Sequence, residues 1–526
     1  MAQKNPKIDR RIVTENSLMK STFFCLLFAA ANLQASPLTA LYATLDPTSI
    51  SQHFAFYELY PNAKEGRDAL RHAWDLLAGG CGSSCDPELI LPTIDPQPII
   101  SLVNRSAEAP LLNEEQLQVI EKLGAHLPNR KFKGHNAWTK QEVLALEPAE
   151  IDLARALLIA ESVQSVDSLQ IRSYEATLDL MALQIIARLT PNATPTEKIR
   201  TINDYVFSEL RFRFPPHSLY AKDIDLYTLL PAVIDSRRGV CLGVSILYLS
   251  LAQRLDLDLQ AITPPGHIYV RYVDPKGDII NIETTARGID VPSDMYLSLE
   301  TRKLQQRNIK EVVGLAFMNQ AAVAWHKKET KTAIDLYQRG REFLPQDPLI
   351  HTFLGFQYLF DGEEAKGKEL LASVSGLLPD HLISTDFIVE DYLSGAASVE
   401  GIRAIYQEVD ETRNSILAKQ KELAGILDKH PSFRGAIFHL AITHLQLGRE
   451  KEAIPLLERY VNLDAKNPVV AYYLAALHRQ RMNYNASWKY LKIAETIVHE
   501  REHYPKALED LRRSLVIACP EPTTRL

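Results

Sequence analysis

The 526-residue chain is short of cysteine, of one-signed charge and of long apolar spans. Its five cysteines, at 25, 81, 85, 241 and 519, are too few for a disulfide scaffold. The formal net charge is −7, with no obvious block of like charge. The electrostatic footprint of a nucleic-acid binder is absent, and no DNA- or RNA-binding motif is found, so no nucleic-acid partner is expected. No further ligands at metal spacing accompany Cys81 and Cys85, and neither a metal nor a cofactor is expected. No run of about 20 apolar residues exists, so no stable transmembrane span is expected. What remains is ordinary for a globular protein: 46% apolar and 23% charged residues, in a length that allows two or three domains.

Residues 1–35 read as a leader rather than fold. After Met19-Lys20 comes the short apolar run Phe23 to Ala31, then Asn32-Leu33-Gln34-Ala35. A basic residue, a brief apolar core and small residues at the end are the pattern of a secretory signal peptide. Cleavage is expected near Ala35, giving a periplasmic or secreted protein. The alternative is a buried amphipathic helix in a cytoplasmic one.

Residues 36–150 form a helical N-terminal region. Spaced apolar positions run from Ser49 to Leu77 and end at Ala78-Gly79-Gly80. Cys81-Gly82-Ser83-Ser84-Cys85 is a loop in which a small disulfide is geometrically possible, with free thiols the alternative. Pro92 to Pro98 is linker-like, and Asn113 caps a further helix. Beyond Pro148 the pattern stays helical. Thr194 and Glu197 have capping-box spacing, with Pro195 at the first helical position.

The chemistry centres on Arg238-Gly239-Val240-Cys241-Leu242-Gly243. Val240 to Leu255 is apolar on nearly every face, so it is a buried helix with Cys241 at its N-terminus. The free N–H groups there favour a thiolate and suit an oxyanion. The plain alternative is a core cysteine. Downstream, Ile268 to Val273 and Ile279 to Thr285 alternate as two strands around Asp274-Pro275-Lys276-Gly277-Asp278. A type I turn with Gly277 left-handed pairs Asp274 with Asp278. That register puts Glu283 opposite Tyr269, on one face with His267. Cys241 is then a candidate nucleophile, His267 its base and Glu283 the group that orients the imidazole.

The motifs Arg238 to Gly243, Ala252-Gln253-Arg254-Leu255, Pro265-Gly266-His267 and Asn281-Ile282-Glu283-Thr284-Thr285 resemble the bacterial transglutaminase-like superfamily, in its SirB-like branch. The resemblance covers about 190–300 and implies a papain-like core with a Cys-His-Asp/Glu triad, carried here by Cys241, His267 and Glu283. The family often has Asp at the place of Glu283. SirB-like members often lack the cysteine; this chain keeps it.

From about residue 314 the chain resembles tetratricopeptide repeats. Pro345 and Pro379 are 34 residues apart, as are Leu440 and Leu474. Units start near Gly314, Pro348, Arg434 and Pro468. Pro455 is placed in a first helical turn. Residues 381–430 are irregular and contain a charged helix from Gly401 to Lys429. Stacked helix pairs form a concave surface for a protein or peptide partner, and Tyr472, Tyr473, His478 and Arg479 are candidates to line it.

The expected fold is therefore α+β. A transglutaminase-like domain spans 151–312, a helical region precedes it, an all-α solenoid follows over 313–515, and 516–526 is a tail. The expected function is an exported thiol enzyme that hydrolyses or transfers an amide bond, its repeats binding a protein partner. The alternative is an inactive scaffold of the same fold. Mass spectrometry of native protein should find a mature start near Ser36; an intact N-terminus refutes export.

Overall fold

The computed structural model describes residues 37–79, 95–104, 112–161, 167–215, 225–385, 387–410 and 412–521. The leader and the Cys81–Cys85 loop lie outside the described residues. The chain divides into two compact units between residues 111 and 112.

In the first unit, Ser49 caps the helix Ile50–Leu59 by accepting from Gln52 N–H. That helix ends before Pro61, and a second runs Lys64–Leu77. The apolar stretch is thus split in two, with Phe54, Ala69, Trp74 and Leu77 buried.

The second unit holds the cysteine motif. Asn113 and Thr194 head the helices Glu114–Leu123 and Pro195–Asn203, each through a capping box. The apolar run folds as the helix Cys241–Arg254, and Val244, Ile246, Leu247, Leu249 and Leu251 are all buried. It packs against the helices Leu153–Glu161 and Ser168–Ile186 and against the sheet. At its far end Arg254 is fully buried and bonds Asp179 Oδ1 through Nε at 2.8 Å. The neighbouring Gln253 accepts from Leu153 N–H at 3.0 Å and donates to Ile151 O at 2.9 Å. The Ala252 to Leu255 motif is therefore an anchor.

Four short antiparallel strands make the sheet: β1 Gln260–Thr263, β2 Tyr269–Val273, β3 Ile279–Ile282 and β4 Gln305–Arg307, in the order β3-β2-β1-β4. The β2–β3 hairpin has the expected register. Val270 pairs with Ile282 and Val273 with Ile279, Asp274 N–H donates to Asp278 O at 2.9 Å, and Gly277 has φ +92. β3 ends at Ile282, short of Thr285. There the Glu283 carboxylate accepts from Thr285 N–H and turns the chain into a 3-10 turn, Thr284–Ala286.

The C-terminal part is built of tetratricopeptide-type helix pairs. Ile309–His326 pairs with Thr330–Phe343, and Pro348–Phe360 with Glu364–Val374. Further on, Arg434–Gln446 pairs with Glu450–Leu463, and Pro468–Gln480 with Tyr484–His499. Consensus positions Ala333, Tyr337, Ala453, Tyr460 and Ala494 are buried between helices. Three expectations need correction. The first pair starts before Gly314, because Asn308 and Glu311 form a capping box ahead of Ile309. The charged Gly401–Lys429 helix is broken into Val399–Tyr406 and Arg413–Lys429, with Asp410 accepting from Thr412 and Thr412 capping the second. Pro455 lies inside its helix, past the first turn. It is exposed, and so is Lys451, whose carbonyl finds no N–H on Pro455 to accept from. Of the candidate groove residues, Arg479 is exposed, whereas His478 is buried and stacks on Tyr490 at 5.6 Å.

Among the described residues no helix is long and apolar enough to cross a membrane. The close packing of the cysteine helix yields a stability prediction. A Cβ on Gly243 would come within 2.2 Å of Tyr227 O. Gly243→Ala should therefore destabilise the fold by about 1–3 kcal/mol in urea unfolding, the usual cost of overpacking.

Candidate active site

A turn delivers His267. Pro265 and Gly266 take its central positions, and His267 N–H donates to Pro264 O at 3.1 Å. Gly266 has φ +68, a conformation that favours glycine. His267 Nε2 then lies 2.7 Å from Glu283 Oε2. Three further donors hold that carboxylate. Tyr296 OH reaches Oε2 at 2.6 Å, and Thr285 reaches Oε1 with its N–H at 3.0 Å and its hydroxyl at 2.5 Å.

Cys241 is the first residue of its helix and is a free, half-buried thiol. The Cys241 side chain lies beside the same imidazole and acts on its charge, and both residues line one cavity. With Nε2 committed to Glu283, Nδ1 is the nitrogen left for sulfur. Val240 at the N-cap supplies no side-chain acceptor, so the first-turn N–H groups stay open toward the thiol end. All three residues singled out in the sequence therefore meet in one place.

The electrostatics fit a charged pair. Burial disfavours the imidazolium, but the bonds to Cys241 and Glu283 and their negative charge outweigh it and push His267 up to about 9. Burial also opposes the Glu283 carboxylate, yet its bonds from His267, Thr285 and Tyr296 pull it down to about 2. Tyr296 is itself raised, by burial and then by Glu283.

Two supporting residues escaped sequence reasoning. Tyr296, 13 residues beyond Glu283, stacks on His267 at 5.9 Å and on Tyr269 at 4.5 Å. It sits in an irregular stretch that carries no periodic signal. Thr284 turns away from the imidazole: its hydroxyl lies 3.0 Å from Ser245 Oγ and 3.5 Å from Cys241 O. Each polar residue of Asn281 to Thr285 thus has a place, since Asn281 also accepts from Arg271 Nε at 2.9 Å and donates to Val291 O at 2.6 Å.

A cavity of about 640 Å³ opens beside Cys241 and His267. Thr263, Gln305 and Arg307 of the sheet line one side. The opposite wall belongs to the repeats: Leu315, Met318, Asn319 and Ala322 of the first helix, and Pro348, Leu349, Thr352 and Phe353 of the third. The thiol and the first two helix pairs therefore share one cleft.

A second cluster lies elsewhere in the unit. His135, Asp152 and Glu175 bring ligand atoms within 4.8 Å of one another, as a metal ion would need. Their charge is already balanced. Arg155 binds Glu175 with both Nε and a terminal nitrogen, Asn129 donates to Asp152 at 2.9 Å, and the Arg254 charge acts on Asp152. The donor set fits a buried ion-pair network better than a cation.

Residues 172–313 match the family model of the transglutaminase-like superfamily, so this segment is a transglutaminase-like domain. Cys241, His267, Glu283 and Tyr296 all fall within it. No curated protein matches the chain in sequence. Among solved structures the chain is similar to PilW, a widely conserved type IV pilus biogenesis factor, at 13% identity and TM-score 0.22, covering 39% of this chain and 86% of that one. It is also similar to a thermophilic TPR protein of Thermus thermophilus, at 17% identity and TM-score 0.20, covering 39% and 98%. A third is MamA MSR-1, at 16% identity and TM-score 0.19, covering 36% and 97%.

The Glu283 contact sets a measurable property of the imidazole. Its folded pKa of about 9 exceeds the ordinary 6.5, so its share of stability is full below pH 6.5 and is lost as pH rises through about 9. In Glu283→Gln the negative partner is gone, and the His267 midpoint followed by NMR should fall from about 9 toward 6.5. An unmoved midpoint would show that Glu283 does not support the charge.

Proposed function

We propose that this protein is an exported thiol enzyme that cleaves or transfers an amide through Cys241, His267 and Glu283. The observation that carries the reading is one imidazole that shares a cavity with the Cys241 thiol and is bonded to a carboxylate fixed by three other donors. That is the geometry of a nucleophile, a base and an orienting group. In this mechanism the Cys241 thiolate attacks the carbonyl carbon, and the oxyanion that forms takes hydrogen bonds from N–H groups of the first helical turn. The His267 imidazolium gives its proton to the leaving amine as the C–N bond breaks, leaving a thioester on sulfur. Neutral His267 then takes a proton from water, whose oxygen attacks the thioester. The acid leaves and the imidazolium–thiolate pair returns. Water is the default acceptor in an open cleft, which favours hydrolysis over cross-linking.

Three further parts belong to the same proposal. Export rests on the Phe23 to Ala35 leader pattern. The SirB-like placement rests on the four motifs around Cys241, His267 and Glu283. A protein partner for the repeats rests on their stacked helix pairs. An inactive scaffold of the same fold is the outcome the test below must exclude.

Iodoacetamide labelling with peptide mapping provides that test, since Cys241 and Cys519 are the free thiols among the described residues. Cys241 should react faster than a model thiol at pH 7, and His267→Ala should slow it by roughly tenfold or more. A rate no higher than the model thiol and indifferent to His267→Ala would leave only the scaffold. The pH dependence adds a sign. Turnover of an amide should fall as pH rises through about 9, where the imidazolium that protonates the leaving amine is lost. Thiol labelling should not fall there.

A further inference from the structure

The cleft wall contributed by the repeats determines what the thiol can reach. Leu315, Met318, Asn319 and Ala322 recur at helical spacing on one face of Ile309–His326, and that face lines the cavity. Pro348, Leu349 and Phe353 continue the surface on the next repeat, and Leu377, Leu382 and Phe387 close it. Nearly all of this wall is apolar, and a cavity of about 640 Å³ has the size that holds a short segment of a ligand.

Two charges of the cleft wall, one of each sign, are spent on one another. Arg307 pairs with Asp347 at 2.7 Å. His381 is held below its ordinary pKa by burial and by the Arg307 charge, which keeps it neutral at pH 7. A charged side chain entering beside this pair would lose water and find both charges already matched. Asn319 and Gln305 are polar groups of the wall with bonding capacity left. Asn319 donates through Nδ2 to Thr228 Oγ1 at 2.5 Å, and its carbonyl accepts nothing from the described residues. Gln305 Oε1 accepts from Arg307 at 3.0 Å, while its own amide nitrogen donates to none of the described residues. A hydrocarbon chain would bury both without partners, which opposes its binding. A peptide backbone offers an N–H to the first and a carbonyl to the second.

We propose that the first two repeat pairs form the acyl-side subsite of the thiol centre, and that the subsite takes a short uncharged peptide segment with apolar side chains. The inference rests on the thiol-enzyme reading above. The repeats are then a specificity-determining wall of the same cleft, whatever partner their remaining surface binds.

Peptidyl acyloxymethyl ketones test this on the full chain. The Cys241 thiolate displaces the carboxylate leaving group, a sulfur–methylene bond forms, and the mass of the adduct reports the rate. Three probes share that warhead: an apolar tetrapeptide such as Leu-Leu-Val-Leu, the same peptide with Asp or Lys at two inner positions, and an alkanoyl chain of equal length. Each rate is divided by the iodoacetamide rate of the same protein. The apolar peptide should lead the charged peptides by roughly tenfold or more, the scale of burying one or two apolar side chains. It should also lead the alkanoyl probe. Met318→Glu should shrink the apolar advantage severalfold, and Met318→Leu should keep it, so a variant that fails to fold does not decide the outcome. Equal rates for charged and apolar peptides, or an alkanoyl probe as fast as the peptide, would overturn the proposal. Slow iodoacetamide labelling of Cys241 would instead overturn the thiol-enzyme reading on which it rests.

Discussion

Asp274 closes the β2–β3 hairpin from both sides of its turn, and the geometry of the site follows from that closure. Its N–H donates to Asp278 O at 2.9 Å, and its carboxylate accepts from the N–H groups of Lys276 and Asp278, each at 2.8 Å. The turn sets the pairing of Val270 with Ile282, and side chains beyond the ladder alternate between faces. Glu283 therefore meets His267 while Thr284 meets Ser245 and the Cys241 carbonyl. A slip by one residue would exchange them, placing a hydroxyl against the imidazole and a carboxylate against the buried Ser245. One turn thus sets both the electrostatics of His267 and the seat of the cysteine helix.

The cysteine helix has to be held at its other end as well. Arg254 is fully buried, and its pairing with Asp179 contributes less net stability than its 2.8 Å contact suggests, because both charges leave water. Removing Asp179 would cost far more, since Arg254 would remain buried without its bonded carboxylate, whereas Asp179 also pairs with Arg130. The pair therefore acts chiefly as a register pin. Gln253 does the same with neutral hydrogen bonds to Ile151 and Leu153. Pinned there, the helix presents Cys241 and its open N–H groups to His267, with no side-chain cap competing for them.

How much of this was legible in the sequence depended on range. Pro275-Lys276-Gly277 names a turn type, so the hairpin register could be read from it, and Glu283 with it. The 34-residue spacing located the helix pairs starting at Pro348, Arg434 and Pro468. β1 and β4 are four and three residues long, too short for alternation to show. Tyr296 had no signal, because its role comes from stacking on His267 and Tyr269 and not from its neighbours in the chain. The break between Val399–Tyr406 and Arg413–Lys429 depends on Asp410 and Thr412, whose capping role a charged helical pattern conceals. His478 is a groove candidate in the sequence, but it is buried and its ring stacks on Tyr490.

The cysteine motif and the repeats are not separate modules, because the first repeat helix serves both. Ile309–His326 has two working faces. Val313, Phe317, Ala321 and Ala324 are buried within the unit. Leu315, Met318, Asn319 and Ala322 face the cavity that Cys241 and His267 share. Periodicity alone reports such a helix as apolar nearly all round, which is the pattern of a fully buried segment. The distinction between faces appears only when the sheet and the second repeat pair are placed around it. A substitution on the cavity face can then alter what fits beside the thiol while leaving the Glu283 and Arg254 contacts intact. One on the buried face disturbs the packing that holds the wall in position. The repeats and the thiol therefore meet through a shared cleft wall, to which the first repeat helix contributes one face.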